Sequence, residues 1–455
     1  MLFERIMARG ISHNSYIIGA VGKAVVIDPR RDCEIYLEIA RKNNYAITHI
    51  FETHRNEDYV TGSLELQTRC GAEIFHGTAM NFSYGKPVHE GDIFNFGPLS
   101  LTILETPGHT EESITLVLRD QDAGDTACMV FCGDTLFSGD IARTDFFGEA
   151  QKEEMAAKIY DSIAQKILPL GDGAILCPAH GAGSICGGDI TDHPFSTIGY
   201  ERATNPHLLA GKDRFIEQRK TESLYIPPYF RQMEHYNKEG APLLHHLPIP
   251  HPASITEARN LMATGCQILD IRGPTAFAAG HIPGSISIWR EGISAFAGWI
   301  LSYDRPILII DDFNQDIDDV VQQLIRLGYD NIAGILNGGF PAWTRAAGNI
   351  GTVQTCSVWQ LKDILATEHV FLLDVRDSKN RNNYGYITGS HHIYAGELAG
   401  RVTEIPRDIP VYIYCDSGYK GSLAASILAL HDYPAITNVL GGMTGWINAG
   451  FTINH

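Results

Sequence analysis

The second half of the chain repeats itself. Ile268-Leu269-Asp270-Ile271-Arg272, Gly280-His281-Ile282-Pro283-Gly284-Ser285, Asn337-Gly338-Gly339-Phe340 and Trp343 return as Leu372-Leu373-Asp374-Val375-Arg376, Gly385-Tyr386-Ile387-Thr388-Gly389-Ser390, Leu440-Gly441-Gly442-Met443 and Trp446. The offset from Asp270 to Asp374 is 104 positions, a domain-sized period. Each copy alternates short apolar strands with helical stretches, which predicts an open α/β domain of about 100 residues. Each also holds one strongly apolar strand, at 307–310 and 411–414. Upstream, Pro227-Pro228, Gly240-Ala241-Pro242 and Leu247-Pro248-Ile249-Pro250 read as linker. A chain of 455 residues exceeds one core, and the expected division is 1–245, 246–350 and 351–455.

A net charge of −18 disfavours a nucleic-acid partner, because phosphate binding needs a basic surface. No apolar run approaches the ~20 residues that span a bilayer, and Met1-Leu2-Phe3-Glu4-Arg5 does not open a secretory signal. Nine scattered cysteines with no CxxC pair suit a reducing cytoplasm.

In the first 245 residues, strands are expected at 14–19, 23–28, 47–52, 99–104, 128–132 and 174–177, with a helix at 33–43. Four of the strands end just before a polar motif. These are Thr53-His54-Arg55-Asn56-Glu57-Asp58-Tyr59, Pro107-Gly108-His109-Thr110, Gly133-Asp134-Thr135 and Pro178-Ala179-His180-Gly181. Loops at strand C-termini of layered α/β folds converge on one edge, where catalytic groups collect.

Over residues 10–205 this order of motifs resembles the metallo-β-lactamase superfamily, whose first loop reads T-H-x-H-x-D-H. Here Asn56 and Tyr59 stand where that pattern has histidines. Amide and phenol are poor zinc ligands, so a two-zinc site loses a ligand from each half. His54, His109 and Asp134 remain, and two histidines with one carboxylate suit mononuclear non-haem Fe(II). The persulfide dioxygenase branch is similar: the resemblance implies one iron per chain on those three positions. Asn56, Asp58, Tyr59 and His180 then surround the ligands, with Asp58 and His180 hydrogen-bonding them or the reacting oxygen. Arg143-Thr144-Asp145-Phe146 also resembles that branch, which makes Arg143 the candidate for a carboxylate or phosphate of the substrate. Cys186, six positions after His180, either approaches the metal pocket or packs.

The two repeats resemble rhodanese domains, in which a loop opening with cysteine wraps backbone N–H groups around sulfur at a helix N-terminus. Cys415-Asp416-Ser417-Gly418-Tyr419-Lys420-Gly421-Ser422 fits that pattern. Cys415 is the expected nucleophile, Ser417 and Gly418 shape the substrate-binding turn, and Lys420 keeps the charge of the usual arginine without its fork. The first repeat has Asp311-Asp312-Phe313-Asn314-Gln315-Asp316 at the same place and no cysteine. It is read as silent.

The expected architecture is α/β: an αββα metallo-β-lactamase-like sandwich followed by two open rhodanese-like domains. The expected function is oxidation of a low-molecular-weight thiol persulfide by O2 to sulfite, coupled to sulfane-sulfur transfer at Cys415 with thiosulfate as a net product. Two other readings stay open: a zinc-dependent thioester hydrolase of the glyoxalase II kind carrying a sulfurtransferase domain, and a sulfur carrier with a degenerate metal domain. Dimers are common in the superfamily, so a homodimer is an expectation by analogy alone.

Overall fold

Two six-stranded sheets carry the N-terminal motifs. In spatial order the first contains Leu2–Ala8, His13–Ala20, Lys23–Ile27, Ala46–Phe51, Glu73–Gly77 and Lys86–Val88. The second contains Ser196–Thr197, Ile175–Pro178, Ala127–Gly133, Ile114–Asp120, Leu99–Glu105 and Ile93–Phe96. Side chains alternate across a strand, and both faces here are apolar. Ile18, Val25, Ile27 and Phe51 pack inward against Leu101, Leu116 and Phe131 of the opposing sheet. Ile17, Ala24, Val26 and Ile50 point outward, under Tyr36 and Ala40 of helix Glu34–Lys42 and Leu66 of helix Ser63–Cys70. On the other outer face Val117, Val130 and Leu176 meet Ala156 and Ile159 of helix Lys152–Ser162. Helices covering both outer faces explain why the strands read as near-continuous apolar runs, and they give the αββα layering.

The computed structural model describes residues 1–455, which fall into two compact units: Met1–Leu247 with Ile325–Gly328, and Pro248–Leu324 with Tyr329–His455. No helix is long and apolar enough to cross a membrane.

The second unit contains the same sheet twice. Strands Pro252–Ala253, Ile332–Leu336, Ile307–Ile310, Gln267–Asp270 and Ser285–Ser287 lie in that order, all parallel. Gln354–Ser357, Ile436–Leu440, Val411–Tyr414, Phe371–Asp374 and His391–His392 repeat the arrangement.

The repeated motifs have structural work in both copies. Arg272 forks onto Asp270 at 2.9 and 2.7 Å and donates to the Gly280 carbonyl, while Arg376 forks onto Asp374 at 2.9 and 2.7 Å and donates to the Gly385 carbonyl. The Trp343 and Trp446 indoles donate to the carbonyls of Asn349 and Thr452. The second glycine of each Gly-Gly pair has positive φ, 62° at Gly339 and 49° at Gly442, and a Cβ at Gly442 would sit 2.2 Å from the Cys415 carbonyl oxygen. That close approach lets the last helix of each repeat abut the central loop.

One stretch differs from the sequence reading. Residues read as linker after Pro227-Pro228 contain helix Phe230–Glu239, which buries Phe230, Met233 and Asn237. The prolines precede the helix rather than replace it, and Gly240 ends it at φ 98°.

Candidate metal centre and cysteine loop

His54, His109, Asp134 and His180 each stand just past a strand of the first unit, and all four are at most 2% exposed. Asp134 Oδ2 lies 3.7 Å from His54 Nε2 and 3.5 Å from His109 Nε2. Neither of those Nε2 atoms has a hydrogen-bond partner.

The neighbours of the two rings fix which nitrogen is bare. Thr53 Oγ1 donates to Asp28 at 2.9 Å, so it accepts from His54 Nδ1–H at 2.8 Å. The Arg143 carbonyl can only accept, so His109 donates to it from Nδ1 at 2.9 Å. Both Nε2 atoms therefore carry a bare lone pair close to Asp134 Oδ2. Burial holds His54 down to about 3 and lowers His109, so both imidazoles are neutral, as metal ligands must be. Burial alone would raise Asp134, but His180, His54 and His109 hold it well below the usual carboxylate range. Orphaned lone pairs on two neutral imidazoles beside one carboxylate fit a divalent metal ion. Gly133 permits the approach: its φ is 51°, and a Cβ there would lie 2.5 Å from Thr53 Oγ1.

His180 behaves differently. Its Nδ1 is 2.8 Å from Asp134 Oδ1 and its Nε2 is 3.1 Å from Asp58 Oδ2. Burial opposes its charge, yet Asp134 and Asp58 raise it well above the ordinary histidine range. It is an imidazolium between two carboxylates, and it anchors Asp134. The Asn56 amide donates to the His54 carbonyl at 3.3 Å, and its buried oxygen has no partner. Tyr59 turns to His13, with its hydroxyl 2.7 Å from His13 Nε2.

Arg143 is not the open receptor that the sequence reading expected. It is 1% exposed and forked onto Asp145 at 2.7 and 2.8 Å, and it also donates to the Ile185 and Tyr225 carbonyls. Its guanidinium is committed within the fold, and its carbonyl fixes the His109 tautomer.

Several residues at this centre escaped the sequence reading. Glu57 Oε2 is buried without a hydrogen-bond partner, 3.8 Å from His109 Nε2, and Glu57 groups with His54 and His109 within 4.8 Å. Cys186, for which the sequence left both a place at the pocket and a packing role open, groups with His109 and Asp134 within the same distance and also belongs to the apolar core of the first unit. His13 and Asp28 act through Tyr59 and Thr53. Asn237 of the unforeseen helix donates to the carbonyls of Asn56 and Tyr59, both at 2.6 Å, and accepts from Thr61 N at 2.9 Å. The spacing of Phe230, Met233 and Asn237 on one helix face was the signal available for it.

Replacing Asn237 with alanine strands three buried backbone groups, at about 1–3 kcal/mol each where water cannot enter. The expected result is a lower melting temperature for the metal-binding domain and roughly tenfold faster metal loss to a chelator, read by differential scanning calorimetry and chelator-release kinetics.

In the second unit, Cys415 follows strand Val411–Tyr414 and is 1% exposed. Gly418, at φ 106°, donates its N–H to Cys415 Sγ at 3.0 Å and leads into helix Tyr419–Leu430. A backbone donor and a helix N-terminus both face the sulfur. The Asn438 amide braces the turn by donating to the Gly418 carbonyl at 3.0 Å. Ser417 is exposed on the rim. Lys420 is 2.8 Å from Asp416 and 3.4 Å from Asp377. Burial opposes the Lys420 charge, but the two carboxylates raise the group above its ordinary range.

Comparison with known proteins finds relatives of both parts of the chain. Residues 8–180 match the metallo-beta-lactamase superfamily, and residues 254–346 and 357–449 each match the rhodanese-like domain. Persulfide dioxygenase ETHE1, mitochondrial, of Mus musculus is 30% identical over 201 residues, covering 43% of this chain and 70% of that protein. A hydroxyacylglutathione hydrolase of Rhodospirillum rubrum is 36% identical over 127 residues, 27% of this chain and 47% of that protein. Among solved structures, a metallo-beta-lactamase from Staphylococcus aureus subsp. aureus COL is 31% identical with a TM-score of 0.66, covering 74% of this chain and 99% of that one. The chain belongs to the metallo-beta-lactamase superfamily, in the group of the persulfide dioxygenases, and is an enzyme whose metal-binding domain is followed by two rhodanese-like domains.

Proposed function

We propose that the chain oxidises a low-molecular-weight thiol persulfide to sulfite at one Fe(II) held by His54, His109 and Asp134, and moves sulfane sulfur through Cys415. The observation that carries this reading is the convergence of two bare Nε2 atoms and Asp134 Oδ2, with an amide and a phenol where a second metal would need imidazoles. Fe(II) in such a donor set supplies the binding and activation of O2. The balance is R–S–SH + O2 + H2O giving R–SH, sulfite and two protons.

The chain's own residues prepare that chemistry. Asp28 and Thr53 hold the His54 tautomer, and the Arg143 carbonyl holds that of His109. The His180 imidazolium pins Asp134 in its ionised form. Burial of all these groups keeps bulk water from the centre. In the last domain, which begins near residue 351, the Cys415 thiolate attacks the outer sulfur of R–S–SH. A Cys415 persulfide forms, the S–S bond of R–S–SH breaks, and the thiol leaves as R–SH with the proton. Sulfite then attacks the outer sulfur, forming thiosulfate and regenerating the thiolate, with Gly418 N–H stabilising the sulfur anion at both stages.

The test is metal content after anaerobic purification, paired with O2 consumption on adding glutathione persulfide. About one iron per chain and persulfide-dependent uptake are expected. Bound zinc with thioester cleavage and no O2 uptake would favour the hydrolase reading. No bound metal and no uptake after Fe(II) is supplied would leave only the sulfur-carrier reading.

A further inference from the structure

The repeat without a cysteine builds one wall of the cysteine's cavity. A cavity of about 440 Å3 opens over Cys415, lined by Ser417, Tyr419 and Lys420 from its own repeat and by Trp289 and Glu291 from the silent one. The wall is fixed in place. In the silent repeat, strand Ser285–Ser287 ends against helix Tyr419–Leu430, where Ser287 Oγ is 2.9 Å from Ser422 Oγ and Ser287 N donates to Ser426 Oγ at 3.0 Å. All three serines are buried. Trp289, just past that strand, meets Tyr419 edge to face at 5.2 Å between ring centroids.

The charges of this cleft are unusual for a site that handles sulfur anions. Its one cation, Lys420, is shared between Asp416 and Asp377. Glu291 is exposed and forms no ion pair. On the silent side an adjoining cleft of about 350 Å3 also includes Trp289, Glu291 and Tyr419, and it adds Asp311, Asp312 and Asp316. Arg290 and Arg272 offset part of that charge through Asp311 and Asp312. A surplus of carboxylates around the open cavity repels small anions before they reach the sulfur.

We propose that Glu291 of the silent repeat is a specificity-determining residue for Cys415. Its carboxylate screens the cavity against small anions, so Cys415 takes sulfur from thiol persulfides in preference to thiosulfate. Trp289 and Tyr419 give the carrier an apolar surface to lie on. The same field slows sulfite in the discharge step. This inference rests on Cys415 being the nucleophile.

The experiment is alkylation of the full chain by the anion iodoacetate and by neutral iodoacetamide, with Cys415 followed by peptide mass spectrometry. In Glu291→Gln the ratio of iodoacetate to iodoacetamide rates is expected to rise about three- to tenfold, with the iodoacetamide rate within about twofold and Glu291→Asp keeping the wild-type ratio. The rise should shrink in about 0.5 M salt, and kcat/KM for thiosulfate should rise in step with it. A merely structural role would shift both reagents together. Reaction with both reagents and an unchanged ratio in Glu291→Gln would overturn the screen while leaving the nucleophile. Failure of wild-type Cys415 to react with either reagent would overturn the nucleophile, and the screen with it.

Discussion

Replacing Cys415 with serine is expected to lower sulfane-sulfur transfer at least about a thousandfold, while persulfide-dependent O2 uptake stays within about twofold. A serine hydroxyl occupies the same turn and still receives the Gly418 N–H, so the fold of the loop is preserved. The hydroxyl does not ionise near neutral pH and forms no persulfide. The second readout holds because no residue of the cysteine loop belongs to the donor set of His54, His109 and Asp134. Transfer from thiosulfate or glutathione persulfide to cyanide or sulfite measures the first effect, and an oxygen electrode measures the second. Undiminished transfer in the serine variant would move the nucleophile elsewhere in the chain.

The complementary change, His54→Ala, is expected to reduce bound iron to less than about a tenth per chain and to abolish O2 uptake. It removes one of two bare Nε2 atoms and leaves Thr53 and Asp28 with no ring to orient. Sulfur transfer at Cys415 should be unchanged. Metal analysis separates loss of the ion from loss of a catalytic group, and the transfer assay on the same sample reports that the rest of the chain is folded. Iron retained at the wild-type level would remove His54 from the donor set.

The strand ends that carry His54, His109, Asp134 and His180 were legible because each follows a short apolar run next to turn-forming residues. The two rhodanese-like copies were legible because their marks recur at nearly constant offset. What stayed hidden came from elsewhere in the chain. Asp28 reaches His54 only through Thr53, and His13 meets Tyr59 across 46 positions of sequence. Helix Phe230–Glu239 lay between a proline pair and a glycine that together looked like linker, so Asn237 went unnoticed. Arg143 was misjudged for a simpler reason. Its partner Asp145 lies two residues on, the same spacing as the Asp270–Arg272 and Asp374–Arg376 forks, and a short acid–base pair of that kind marks a structural fork more readily than a ligand site.

The position of Asn237 also decides where this protein can be divided. A gene fragment ending at residue 180, where the superfamily match stops, would encode His54, His109 and Asp134. It would lack the amide that ties down the loop from Asn56 to Thr61. The smallest transplantable oxidation module therefore runs past Gly240, and swaps of the trailing domains between relatives should keep their junctions beyond that glycine.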